Sequence, residues 1–204
     1  MGAKIIQGIN DLETRRPDLV KEWHSVLNGD VLPSQVGFSS NKKRWWKCKL
    51  GHEWQASPNS RTTHAGLCPY CNGKRVWPGF NDLESQYPDI AAMWHHTKNG
   101  DLKPSDVTYG SGKKVWWICS NGHEHQATVN SKLKQKVRCP YCTNQAISSG
   151  FNDLATLNPE LASEWHPIRN IGLLDGNGKD ISTPNKIGSC SSQKVWWLGQ
   201  CGHE

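Results

Sequence analysis

The chain has 204 residues, 35% of them hydrophobic, with a mean hydropathy of −0.70 and a formal net charge of +6. No apolar run approaches the roughly 18 residues that cross a bilayer, and Met1-Gly2-Ala3-Lys4-Ile5-Ile6-Gln7 lacks the apolar stretch of a signal peptide. The expectation is a protein with no membrane association and no secretory leader.

In chain order, the first half of each unit reads helical. Asn10 is a candidate N-cap for a short turn, and Pro17-Asp18 opens a second helix with proline in its first turn and an acid near its positive end. Leu19 and Trp23 then fall four apart on one face, and Asn28-Gly29 stops the helix. The second half reads as strands. Residues 43–48 run Lys-Arg-Trp-Trp-Lys-Cys into a tight turn at Gly51-His52, and Glu53-Trp54-Gln55-Ala56 returns as the second arm of a hairpin. After a loop comes Cys68-Pro69-Tyr70-Cys71.

This pattern returns 71 residues later. Gly8–Cys71 and Gly79–Cys142 share 32 of 64 positions without gaps, and Gly150-Phe151-Asn152-Asp153-Leu154 opens a third copy. Self-similarity of this kind marks a tandem array, each unit one supersecondary module. The expected domains are 8–75, 79–146 and an incomplete third repeat, 150–204. The third carries nine extra residues in its middle, has Gly199 where Cys48 and Cys119 stand, and lacks the second cysteine pair. Cys190, Cys201 and His203 are not expected to build a third metal site, and the abrupt ending reads as a piece of a longer array.

Cys48, His52, Cys68 and Cys71, and again Cys119, His123, Cys139 and Cys142, have the same C-x3-H-x15-C-x2-C spacing. Soft ligands at duplicated spacing predict two tetrahedral zinc ions per chain; iron–sulfur ligation is the lesser alternative, because histidine ligands are uncommon there. Four protein ligands leave the metal no open position, so both sites read as structural. Six of the eight cysteines lie in these sets, which predicts a reducing compartment, the cytoplasm (the nucleoid, in a bacterium), and no disulfide framework. The fold class expected is small α+β zinc-stabilised modules in tandem, each a short helical segment followed by a zinc-ribbon or treble-clef β-hairpin.

Strand alternation puts Trp46 and Trp117 beside the metal and Trp45 and Trp116 on the face of Lys43 and Lys114. That second face is either a basic–aromatic strip for stacking on bases or, the stronger expectation, core packed against the Trp23 helix. His24, His95 and His166 are expected to hydrogen-bond at helix ends.

The Asn-Asp-Leu opening, the Trp-His pair, Trp-Trp-x-Cys with its Gly-His-Glu, and Cys-Pro-Tyr-Cys together resemble the zinc-ribbon or treble-clef zinc finger repeats found in tandem in bacterial, phage and some eukaryotic proteins. The resemblance covers nearly the whole chain. In that family such repeats often accompany an endonuclease domain related to very-short-patch repair nucleases, which implies DNA binding; a protein partner or a fused nuclease is the further partner this leaves open.

Charge placement points the same way. Residues 37 to 75 carry eight basic groups against Glu53 alone, and residues 107 to 146 carry six against Glu124, whereas the segments before them are net acidic. Segregated positive charge gives a polyanion a focused field. Lys42, Lys43, Arg61, Lys74 and Arg75, with Lys113, Lys114, Lys132 and Arg138, are the candidate phosphate contacts; three of them recur in register, 42/113, 43/114 and 61/132. The leading expectation is a zinc-dependent nucleic-acid-binding array, DNA before RNA. A protein-interaction scaffold comes second. A nuclease comes third: His123-Glu124-His125 with Asn130 faintly suggests an HNH-like cluster, but the first unit has Trp54 in place of His125, so no enzyme is expected.

Overall fold

The computed structural model describes residues 4–63, 67–134 and 138–204. Each repeat opens with two single-turn helices: α1 (Leu12–Arg15) and α2 (Pro17–Val20), then, in the second repeat, α4 (Leu83–Gln86) and α5 (Pro88–Ala91). The third repeat has α7 (Leu154–Leu157) and α8 (Pro159–Ser163). The cap is the aspartate, not the asparagine expected from the sequence. Asp11 accepts from the Thr14 amide at 2.8 Å, Asp82 from Ser85 at 2.8 Å and Asp153 from Thr156 at 3.0 Å. All three aspartates are buried, and hydrogen bonds to the charged form outweigh burial to hold each carboxyl below its ordinary range. Replacing Asp82 with alanine should cost about 1–2 kcal/mol of stability, read by thermal or urea unfolding of the zinc-loaded chain. Because the folded carboxyl titrates below the unfolded one, this contribution is present above the ordinary aspartate range and lost as pH falls through the lowered value.

The second helix is shorter than expected. It stops at Val20, and Trp23 enters an antiparallel bridge with Trp46, fixed by Lys47 N to Glu22 O at 2.7 Å and His24 N to Trp45 O at 3.2 Å. The helical half thus lays a third short edge on the hairpin, and Trp23 meets Trp46 edge-on at 5.4 Å. Trp94–Trp117 and Trp165–Trp197 repeat this pair at 5.4 and 5.5 Å.

The hairpins are β1 (Arg44–Lys47) with β2 (Glu53–Ala56) and β3 (Lys114–Ile118) with β4 (Glu124–Thr128), both antiparallel; Trp46 faces Trp54 and Trp117 faces His125 in register. Each hairpin runs into a helix the sequence reading left as loop: α3 (Pro58–Thr63) and α6 (Val129–Lys134). Knuckle, hairpin and helix are the parts of a treble clef. Trp46 and Trp117 are fully buried, and their indole N–H groups donate to Ala56 and Ala127 carbonyls. The first core gathers Leu12, Leu19, Trp46, Trp54 and Cys68, with Trp23 and Phe38 against it.

By backbone proximity the chain divides into two compact units, Met1–Ala91 with Leu102–Ser111, and Ala92–Asp101 with Gly112–Glu204. The dividing line runs through the second repeat. Among the described residues no helix is long and apolar enough to cross a membrane.

Candidate metal centres

The first knuckle is a tight turn at the mouth of the β1–β2 hairpin. Cys48 N donates to His52 O at 3.0 Å and Gly51 N to Cys48 O at 2.9 Å, with Gly51 at φ +85°, a left-handed conformation that favours glycine. The second knuckle, Cys68–Cys71, closes with Asn72 N on Cys68 O and needs one more left-handed residue, which is Gly73 (φ +68°) here and Asn144 (φ +58°) in the second repeat. Asparagine is among the few other residues that tolerate that region.

These turns bring the ligands together. His52 Nδ1 lies 3.5 Å from Cys48 Sγ, 3.7 Å from Cys68 Sγ and 3.3 Å from Cys71 Sγ, and the Cys48 and Cys71 sulfurs are 3.8 Å apart. A tetrahedral zinc with bonds of about 2.3 Å to sulfur and about 2.0 Å to nitrogen sets its ligands roughly 3.5–3.8 Å apart. In the second site His123 Nδ1 is 3.5 Å from Cys119 Sγ and 3.3 Å from Cys142 Sγ, with 3.8 Å between those two sulfurs. In both quartets all four donor atoms lie within 4.8 Å of one another. The donor set is chemically right as well. Without a cation three thiols this close cannot all ionise: burial and the neighbouring Cys68 and Cys48 sulfurs push the Cys71 thiol up to about 12. Cys142 is raised for the same reasons. Two Cys3His sites fit two zinc ions, as the spacing predicts.

Around the ligands lies a shell that the sequence reading missed. Asn81, from the opening of the second repeat, is buried and donates to Tyr70 O at 2.6 Å and Arg75 O at 2.8 Å, while its Oδ1 accepts from Trp77 N at 2.7 Å. Phe80 stands edge-on to the His52 ring at 4.5 Å, and Trp77 packs on the same ring at 4.9 Å. Asn152 repeats this on the second knuckle, donating to Tyr141 O and Ala146 O at 2.8 Å each, with Phe151 at 4.3 Å from His123. Each metal centre is therefore closed by the first residues of the repeat that follows it. The trace of this closure in the sequence is the recurring asparagine of the Asn-Asp-Leu motif, whose expected cap role belongs to the neighbouring aspartate.

A second link ties the helical half to the ligand histidine's neighbour. His95 Nδ1 accepts from the Thr97 and Lys98 amides, which leaves the proton on Nε2, 2.7 Å from Glu124 Oε1. His166 and Glu204 match it at 3.1 Å; His24 Nε2 lies 3.0 Å from Glu53 Oε1 but off the hydrogen-bond line. His95 and Lys98 hold Glu124 below the usual carboxylate range. These histidines hydrogen-bond as expected but not at helix ends: the helices stop three or four residues earlier, at Val20, Ala91 and Ser163, and each histidine amide donates to the hairpin, to Trp45 O, Trp116 O and Trp196 O.

The basic residues separate into two groups. Lys42, Lys43, Lys74, Arg75, Lys113, Lys114 and Arg138 are exposed. Arg61 and Lys132 are not: both are buried, so neither stands where a phosphate could reach it as the sequence reading expected. Arg61 pairs with Glu22 at 2.6 Å and lies over the Trp46 and Trp54 rings at 4.4 and 5.1 Å. In the second repeat Met93 replaces Glu22 and His125 replaces Trp54; Lys132 Nζ lies 3.2 Å from His125 Nε2 and 5.6 Å from the Trp117 ring. Burial lowers the affinity of both Lys132 and His125 for a proton. A cation over an indole face explains both positions: it is core, not surface. The HNH-like grouping does not assemble, because His123 turns to the thiols, Glu124 to His95, and His125 to Lys132, while Asn130 accepts from Thr128 Oγ1.

Comparison with known proteins agrees with this geometry. A protein of Escherichia phage T5 named "Putative endonuclease" is 28% identical over 109 residues, which is 53% of this chain and 35% of that protein, so the chain spans about a third of the relative's length. The model of a family described as "Probable Treble clef zinc finger domain" matches twice, over residues 19–74 and 90–145, together more than half of the chain. With its ligand quartets, knuckles and hairpin–helix units in place, the chain belongs to this treble-clef zinc finger family.

Proposed function

We propose that the chain is a nucleic-acid-binding array in which zinc-held hairpins present lysine and arginine to backbone phosphates, double-stranded DNA being the favoured partner. The observation that carries this reading is the recurrence of exposed cations at equivalent positions, Lys42 and Lys43 ahead of β1, and Lys113 and Lys114 at the start of β3, on segments that carry almost no acid. Lys74 and Arg75 follow the second knuckle of the first repeat and Arg138 precedes that of the second. Rigid metal-built turns hold such side chains in place at little entropic cost on binding. Two modules on one strand multiply affinity through effective concentration.

The name of the phage T5 relative supports a nucleic-acid setting, and an array of this kind suits the targeting part of a larger nuclease or mobile-element protein; the binding role needs no catalytic group in these repeats. An electrophoretic shift with duplex DNA, titrated with salt, tests the proposal. The log of the affinity should fall with the log of salt by roughly 0.9 per phosphate neutralised, a slope of several units in all. Lys43→Ala with Lys114→Ala should flatten it by about two. Binding that stays constant from low to high salt would refute the reading, and binding to protein partners alone would replace it with a scaffold.

A further inference from the structure

In the first unit a cleft of about 540 Å³ opens between the residues before α1 and the loop that leads into β1. It falls in the roughly 300–1,000 Å³ range of small-ligand sites. Ile5 and Phe38 form its apolar lining, Gln35 and the hydroxyls of Ser39 and Ser40 are polar, and Lys42 and Arg44 supply the charge; no carboxylate lines it. The loop is held from both sides. Phe38 N donates to Asn10 O at 3.2 Å, and Asn59 at the start of α3 ties it down through its amide N to Ser40 O at 3.0 Å and its side chain to Asn41 Oδ1 at 2.9 Å. Arg44 is the informative member. Its Nε is buried with no hydrogen-bond partner among the described residues. An unpartnered buried donor is costly and calls for an explanation such as a bound water or ion; with Nε closed to solvent, an anion in the cleft would meet the outer part of this half-buried guanidinium.

We infer that this cleft takes one nucleotide of a bound strand, its phosphate on Lys42 and Arg44 and its base against Phe38, with the Gln35 amide at the base edge. Gln35 Oε1 is occupied by the Leu32 amide at 3.0 Å, which leaves the Nε2 donor for the ligand. The inference rests on the nucleic-acid reading above and sharpens it: duplex affinity comes from the exposed lysines, whereas the cleft accepts a nucleotide that has left the stack, at a strand end or a gap. The third repeat has a related but smaller cleft of about 280 Å³, where the positions of Lys42 and Arg44 hold Gln193 and Val195. That cleft has Lys179 and Lys186 with the Asp175 carboxylate among them, whereas the first-unit cleft carries its cations without an acid.

The test is a titration of the two-zinc protein with deoxyadenosine 5′-monophosphate, followed by NMR at the Phe38 ring and the Gln35 side-chain amide. Saturable shifts at both are expected, with affinity about tenfold weaker in Lys42→Ala and in Arg44→Gln, each first shown to keep two zinc ions. Lys42 is exposed, so its variant keeps the test open if Arg44→Gln folds poorly. Deoxyadenosine without phosphate should fail to saturate, and inorganic phosphate should leave the Phe38 ring unmoved. Silent Phe38 and Gln35 signals, equal affinity in Lys42→Ala, or phosphate binding as tightly as the nucleotide would each overturn the assignment. If duplex binding keeps its salt slope while the nucleotide leaves the cleft unmoved, only the cleft assignment falls; if the slope is absent, the broader reading falls with it.

Discussion

Replacing Cys68 with serine should halve the zinc content of the chain, from two equivalents to one, and unfold the first unit while the second survives. Cys68 is buried, and its sulfur sits in the quartet with Cys48, His52 and Cys71. Serine cannot offer a thiolate, and a three-ligand site loses most of its grip on the metal. Structural zinc binding contributes on the order of 10 kcal/mol to modules of this kind, comparable to the whole stability of an ordinary domain. The first core rests on a handful of aromatic and leucine side chains and has little else to draw on. Metal analysis beside far-ultraviolet circular dichroism would register the change. Cys190→Ser is the control, since that thiol is exposed and outside both quartets; it should leave zinc and fold as they are.

The second large effect crosses a repeat boundary. Asn81→Ala removes the hydrogen bonds to Tyr70 O, inside the Cys68–Cys71 knuckle, and to Arg75 O just after it, and the one accepted from Trp77 N, at a buried position. The summed cost is about 2–4 kcal/mol, three hydrogen bonds at about 1 kcal/mol each. The zinc released more readily should be the one held by Cys48, His52, Cys68 and Cys71, in the repeat before the substitution. A competing chelator should strip it at a concentration at least about tenfold lower than in the parent chain. Asn152→Ala should do the same to the Cys119 site. Asn10→Ala should spare both, since the Asn10 side chain bonds to Ile6 N and Lys4 O, away from either quartet. Substitution of Asn81 that loosened the second site and not the first would contradict this description of how the repeats interlock.

What could be read in the chain and what could not follow the same physical line. The ligand quartets were legible because metal geometry forces fixed spacings, and the hairpins because Trp-Trp and Glu-Trp-Gln-Ala alternate about a glycine turn. The helices α3 and α6 were not, because Pro58-Asn59-Ser60-Arg61-Thr62-Thr63 carries no apolar stripe; what it buries is the Arg61 guanidinium on two indole faces. The same burial removed Arg61 and Lys132 from the candidate phosphate contacts: charge in a sequence says nothing of the ring beneath it. The helix expected to reach Trp23 ended early because a backbone bridge to Trp46 competes for its last residues. The closure of each knuckle by Asn81 or Asn152 was hidden since its partners are backbone carbonyls, which no residue type marks. Arg44 is a related case, as only the folded loop shows that its Nε has no partner among the described residues.

The most direct measurement is zinc-edge X-ray absorption on the purified chain, together with its metal content. Two equivalents of zinc, each bound by three sulfurs at about 2.3 Å and one imidazole nitrogen at about 2.0 Å, is the expected result. Fewer than two equivalents, or a first shell dominated by oxygen, would contradict it.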